Sequence, residues 1–90
     1  MSSVFSLEGR RAMVTGTNTG IGQGIALSLA EAGAELIAVG RSSMAETEAA
    51  IHAVGGKVNS IKADLGKTKT VTAVLDAAWD AHGPIDILVN

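Results

Sequence analysis

Apolar residues recur along the chain in two alternating rhythms. Arg11-Ala12-Met13-Val14-Thr15 is a short run that stops at a glycine cluster, the pattern of a buried strand. From Ile21 the spacing changes. Ile21, Ile25 and Leu29 repeat at helical intervals with Ala26 and Ala30 beside them, which predicts a helix ended by Gly33. Leu36-Ile37-Ala38-Val39 is a second buried run, with Gly40-Arg41 at its carboxyl end. Ser43-Met44-Ala45-Glu46 fits a capping box and opens a second helix, which reaches about Val54 and stops at Gly55-Gly56. Lys57 to Lys62 alternates around Val58 and Ile61 as a third strand. Val71, Val74, Leu75 and Ala78 make one face of a third helix ending near His82. After Gly83-Pro84, Ile85-Asp86-Ile87-Leu88-Val89-Asn90 reads as a fourth, buried strand.

Near-continuous apolar strands alternating with amphipathic helices imply an α/β fold, a doubly wound parallel sheet covered on both faces. The chain carries four strands and three helices of it, and residues 1–90 are expected to form one domain that is incomplete at its carboxyl end. In the doubly wound order the first and fourth strands are neighbours, and the fourth expects further strands beside it. Ninety residues alone would therefore expose an apolar edge, a template for pairing with another chain.

Composition narrows the picture further. At 47% hydrophobic and 18% charged, the chain belongs with folded proteins rather than disordered ones. Its apolar content lacks bulk, with one Phe, one Trp and no Tyr, which suits tight packing of helices on strands. A net charge of −2 offers no footprint for nucleic acid or an anionic membrane. Lys57, Lys62, Lys67 and Lys69 gather near the third strand, but no aromatic lies among them to stack a base. No apolar run approaches the roughly 20 residues of a membrane span, and the first residues lack the pattern of a secretion signal. With no cysteine, disulfides and thiolate metal sites are excluded, and the cytoplasm is the expected location. His52 and His82 have no second ligand at metal spacing, so surface or capping roles are expected and no metal. Trp79 is expected to be partly buried, Asp76 and Asp80 solvated, and Asp86 to orient the turn before the last strand.

The chemistry concentrates in Thr15-Gly16-Thr17-Asn18-Thr19-Gly20-Ile21-Gly22, where the first strand meets the first helix. Such a turn gathers free amides and the positive helix end at one spot, which favours a phosphate. Glycine there permits positive φ, lets a ligand reach the backbone and lets helix and strand pack closely. A phosphate loop of the Walker type is excluded, because Gln23 follows Gly22 where Lys is needed. The Gly-x-Gly-x-x-Gly dinucleotide fingerprint is also not met strictly, the glycines standing as Gly-x-x-x-Gly-x-Gly after a threonine.

That pattern, Thr-Gly-x-x-x-Gly-Ile-Gly, resembles the signature of the short-chain dehydrogenases/reductases, which fold as Rossmann-type domains. Asp64-Leu65 after the third strand is similar to the family's adenine-binding pair, and Asp86-Ile87-Leu88-Val89-Asn90 to the strand leading into its Asn-Asn-Ala-Gly motif. The resemblance covers nearly the whole chain and implies a set of cofactor-binding residues. Gly16, Gly20 and Gly22 would shape the turn, with Asn18, Thr19 and Ile21 against the adenosine ribose and pyrophosphate. Asp64 would accept a bond from the adenine amino group, and the Leu65 amide would donate to the ring. Asn90 would support the adenosine side of the cofactor.

The end of the second strand selects the cofactor: an acidic residue there binds the ribose hydroxyls of NAD, and a nearby Arg the 2′-phosphate of NADP. Here stands Gly40-Arg41-Ser42, with no carboxylate, so the cofactor is NAD or NADP and Arg41 favours NADP. The family's reaction is reversible hydride transfer between nicotinamide and a small alcohol or ketone, and it uses a Ser, a Tyr and a Lys. The chain has no tyrosine, so no catalytic residue is assigned within it. Within the family, Phe5-Ser6-Leu7-Glu8-Gly9-Arg10 and Thr17 to Gly24 look closest to dehydrogenases of sugar acids such as 2-deoxygluconate or 2-keto-3-deoxygluconate. The resemblance also implies a homo-oligomer, a tetramer. The competing reading is a nucleotide-binding module or sensor of the same fold without catalysis.

Overall fold

The computed structural model describes residues 6–17, 20–63 and 68–89, the last stretch without the side chains of 68–71. The elements run in the order β1 (Arg11–Thr15), α1 (Gly20–Glu31), β2 (Glu35–Gly40), α2 (Ala45–Ala53), β3 (Lys57–Lys62), α3 (Thr68–His82) and β4 (Ile87–Val89). The four strands form one sheet in the order β3-β2-β1-β4, every pair parallel. Val14 stands level with Ala38 of β2 on one side and Val89 of β4 on the other. This is the Rossmann-like α/β arrangement that the alternation of patterns predicts.

Successive strand residues point to opposite faces, so the all-apolar strands feed two cores at once. On one face Ala12, Val14 and Leu36 pack with Ala26 and Ala30 of α1 and Ile51 of α2. On the other, Met13, Ile37 and Val39 pack with Val74 and Ala78 of α3. Val74, Leu75 and Ala78 thus face inward as their spacing predicts, while the side chain of Val71 lies outside the described residues.

The buried stripe of α1 differs from the expected one. Gly22, Ala26 and Ala30 face the sheet, whereas Ile21 is 82% exposed and Ile25 is exposed too. The larger residues mark the wrong side because this helix approaches the strands too closely for branched side chains. At the top of that stripe, a Cβ on Gly22 would collide with the carbonyl oxygen of Gly16 and come within 2.7 Å of its carbon. Gly16 itself turns the chain out of β1 at φ +67°, a conformation that costs other residues strain.

Helices α1 and α2 end in the same way. The amides of Gly33 and Ala34 donate back to Ala30 and Leu29, and those of Gly55 and Gly56 to His52 and Ile51. Both are Schellman closures with a glycine at positive φ, as Gly33 and Gly55-Gly56 lead one to expect. The start of α2 is a correction. Met44, not Ser43, occupies the N-cap, and no side chain caps the helix; the Ser43 hydroxyl accepts only the Ala45 amide, at 3.4 Å. Met44 is nearly buried, and seating its side chain moves the helix start past the predicted box.

At the opposite end of the sheet, Asp86 orders the turn before β4. Its carboxylate accepts the Arg11 amide at 2.9 Å, and its own amide donates to the Arg11 carbonyl at 2.9 Å. The Arg11 guanidinium adds bonds to Glu35 at 3.2 Å and to the Pro84 carbonyl at 2.9 Å, binding the starts of β1, β2 and β4 together. β4 is shorter than the predicted strand and only half-buried, with Leu88 53% exposed at the edge of the described sheet. Trp79 is 48% exposed on α3, and His82 sits in its last turn, where a cation suits the helix dipole.

These contacts make opposite predictions for two glycines of one helix. Gly22→Ala should destabilise the protein by roughly 2–3 kcal/mol, because the obstructing atoms are backbone and cannot rotate away. Gly24→Ala, whose Cβ would meet nothing within 4 Å, should instead stabilise by about 0.5 kcal/mol through the unfolded chain's lost freedom. Urea unfolding of the two variants measures both.

Candidate functional site

The sheet order places a switch point at β1: the chain leaves it for β2 on one side, while β4 lies on the other. In open α/β sheets, ligands bind outside the carboxyl ends of the strands at such a point. Five of the residues singled out from the sequence lie there. Gly16 follows β1 directly, Gly20, Ile21 and Gly22 open α1, and Arg41 follows β2. Asn18, Thr19, Asp64, Leu65 and Asn90 lie outside the described residues.

The local geometry suits an anion. The first turn of α1 carries no acidic side chain, so the positive end of its dipole is uncompensated. Gly20 is exposed, and a Cβ there would meet nothing within 4 Å, which leaves the backbone at the helix start open to close approach. Ile21 presents an exposed apolar surface beside it. Arg41 is exposed and forms no ion pair among the described residues, so its guanidinium is available to a second anionic group. The turn after β1 and the chain after β2 are held at one level because pairing continues past the strands. The Thr17 amide donates to the Val39 carbonyl at 3.3 Å, and the Ala63 amide to that of Gly40 at 2.8 Å. Across the switch point, the Thr15 hydroxyl donates to the Val89 carbonyl at 3.4 Å. A pyrophosphate cradle at Gly20 with a flanking basic residue is what the ADP half of a dinucleotide requires, and the residues present fit that group.

Sequence reading missed the buried polar residues beneath the turn. Thr17 is 0% exposed, and its hydroxyl lies 3.3 Å from the Val39 carbonyl and 3.1 Å from Met44 Sδ. Thr47 of α2, also buried, donates to the Thr17 carbonyl at 2.6 Å. The signal was present in the helical spacing Met44, Thr47, Ile51, which sets a hydroxyl on a face otherwise apolar. A cleft of about 350 Å³ lies at the other pole of the sheet, lined by residues that include Arg10, Arg11, Gly33, Glu35, Gly56 and Lys57. Among the described residues no group of His, Asp or Glu is arranged to hold a metal, and no helix is long and apolar enough to cross a membrane.

Known proteins share this sequence and fold. The family model for short chain dehydrogenases matches residues 10–90. The chain is 47% identical over 88 residues to 2-dehydro-3-deoxy-D-gluconate 5-dehydrogenase of Escherichia coli K12, covering 98% of this chain and 35% of that one. The Pseudomonas aeruginosa RhlG/NADP active-site complex superposes with a TM-score of 0.87 at 39% identity, over 100% of this chain and 37% of RhlG. The 3-oxoacyl-(acyl-carrier protein) reductase of Brucella melitensis, in complex with NAD, gives 0.80 at 43% identity, over 90% of this chain and 32% of the reductase. This chain spans about a third of the length of such relatives. Taken with the glycine turn, the parallel sheet and the switch point, these matches show that the chain belongs to the short chain dehydrogenase family.

Proposed function

We propose that these ninety residues bind the ADP half of a nicotinamide dinucleotide, in an oxidoreductase that interconverts a secondary alcohol and a ketone on a sugar acid. The observation that carries the reading is the turn from β1 to α1. Gly16 at positive φ and a side-chain-free Gly22 bring the helix start onto the strand end, and open space lies over Gly20. In this reading the pyrophosphate sits at the amino end of α1, with Gly16, Gly20 and Gly22 shaping the turn and Asn18, Thr19 and Ile21 flanking it. Asp64 and Leu65 take the adenine, and Asn90 supports the adenosine side.

Arg41 and the absence of a carboxylate after β2 support NADP over NAD. When bound, the nicotinamide would donate hydride to the ketone or accept it from the alcohol, and the role of these residues would be to hold and orient the ADP half that carries it. The sugar-acid substrate is supported by the 47% identity to 2-dehydro-3-deoxy-D-gluconate 5-dehydrogenase. One domain over residues 1–90, continuing in a longer chain as in the relatives, is part of the same proposal.

Two substitutions in the full-length protein test this reading by titration with NADP and NAD. Gly20→Ala should fold normally, since its Cβ meets no protein atom, yet bind either cofactor at least about tenfold more weakly by obstructing the phosphate approach. Arg41→Glu should reverse the preference, weakening NADP by about 100-fold while leaving NAD within about threefold. Undiminished binding of both cofactors to Gly20→Ala would contradict the proposed site. An unchanged NADP affinity in Arg41→Glu would remove Arg41 from it.

A further inference from the structure

Thr47 stands outside every motif of the cofactor site, yet its side chain reaches that site's backbone. It is 2% exposed on the inner face of α2, between Met44 and Ile51, where an aliphatic residue would pack without the desolvation cost of a hydroxyl. Its hydroxyl is committed to one partner, the Thr17 carbonyl, at 2.6 Å. Thr17 is held from two further directions. Its amide donates to the Val39 carbonyl at 3.3 Å, and its hydroxyl lies between that same oxygen and Met44 Sδ, serving one at a time. No buried side-chain nitrogen or oxygen among the described residues lacks a partner, so this polar node is fully satisfied.

From this geometry we infer that Thr47 is a positioning residue for nucleotide binding: it fixes the orientation of the turn that receives the pyrophosphate, and couples that turn to the segment bearing Arg41. The inference rests on the dinucleotide reading above. The Thr17 backbone also lies against the start of α1, since a Cβ on Gly22 would come within 3.2 Å of the Thr17 Cα. Holding the Thr17 carbonyl toward α2 therefore fixes the strand end on which the helix start packs, and a site already held in place loses less entropy when it takes up a ligand. The same helix leads back through Met44 and Ser43 to Arg41, so a shift of α2 moves both anion-binding elements together.

The test is calorimetric titration of NADP and of NAD onto the full-length protein, with thermal unfolding of each variant alongside. Thr47→Val, which keeps the shape and removes the donor, should raise the Kd of the preferred cofactor about tenfold, the loss expected of one buried hydrogen bond. Thr47→Ser keeps the donor and should stay within about twofold of the unsubstituted protein. Ile51→Val trims the core of the same helix without touching the node, and should lower Tm while leaving Kd unchanged. Should Thr47→Val not fold, Thr47→Cys takes its place, its weaker donor giving an expected rise of about threefold. An unchanged Kd in Thr47→Val or its Cys substitute, or a Thr47→Ser as weak as Thr47→Val, overturns the inference while the dinucleotide reading stands. Failure of the unsubstituted protein to bind either cofactor overturns that reading, and the inference with it.

Discussion

Helix α1 can begin directly over the end of β1 only because Gly22 has no side chain to hold it off the Gly16 carbonyl. Everything at the candidate site depends on that approach. It brings the amino end of α1 to the carboxyl end of β1, and it seats the small stripe Gly22, Ala26, Ala30 flat on the sheet. Exposed Ile21 and open Gly20 remain on the outer side, where a ligand can reach them. Thr17 in the turn and Thr47 beneath it are both buried, and their hydrogen bonds fix direction as well as distance.

The parallel sheet extends the same logic to the second anion-binding element. Register between β1 and β2 sets Thr15 level with Val39, and the Thr17 amide then continues the ladder to the Val39 carbonyl. Gly40 and Arg41 thus emerge beside the glycine turn because the strands end together. At the opposite pole, the Arg11, Glu35 and Asp86 bonds fasten the strand starts. The two ends of the sheet divide the labour: ion pairs secure one and an open turn occupies the other.

Much of this was legible in the sequence because strand and helix periods alternate cleanly and glycines mark the boundaries. Arg11–Thr15 and Lys57–Lys62 fall where their apolar patterns place them, and Gly33 and Gly55 end their helices as expected. What the pattern misread has a common cause: tertiary contacts chose among locally equivalent options. Ile21 and Ile25 looked like the inner face of α1, but close approach to the sheet selects glycine and alanine instead. Ser43 had the chemistry of a cap, but burial of Met44 moved the helix start. The Thr17–Thr47 bond joins residues thirty apart; the spacing Met44, Thr47, Ile51 sets the Thr47 hydroxyl on an apolar face but does not name its partner. The motif proposes the candidate site's residues, but not the buried bonds that hold Thr17 beside them.

The central claim is that a nicotinamide dinucleotide binds at the switch point, against the amino end of α1 and beside Arg41. The measurement that tests it most directly is a crystal structure of the full-length protein grown with NADP. The account predicts pyrophosphate density over Gly20 and the adenosine ribose with its 2′-phosphate beside Arg41. Density in the cleft between Arg10 and Lys57, at the far pole of the sheet, with none at the helix start, would contradict it.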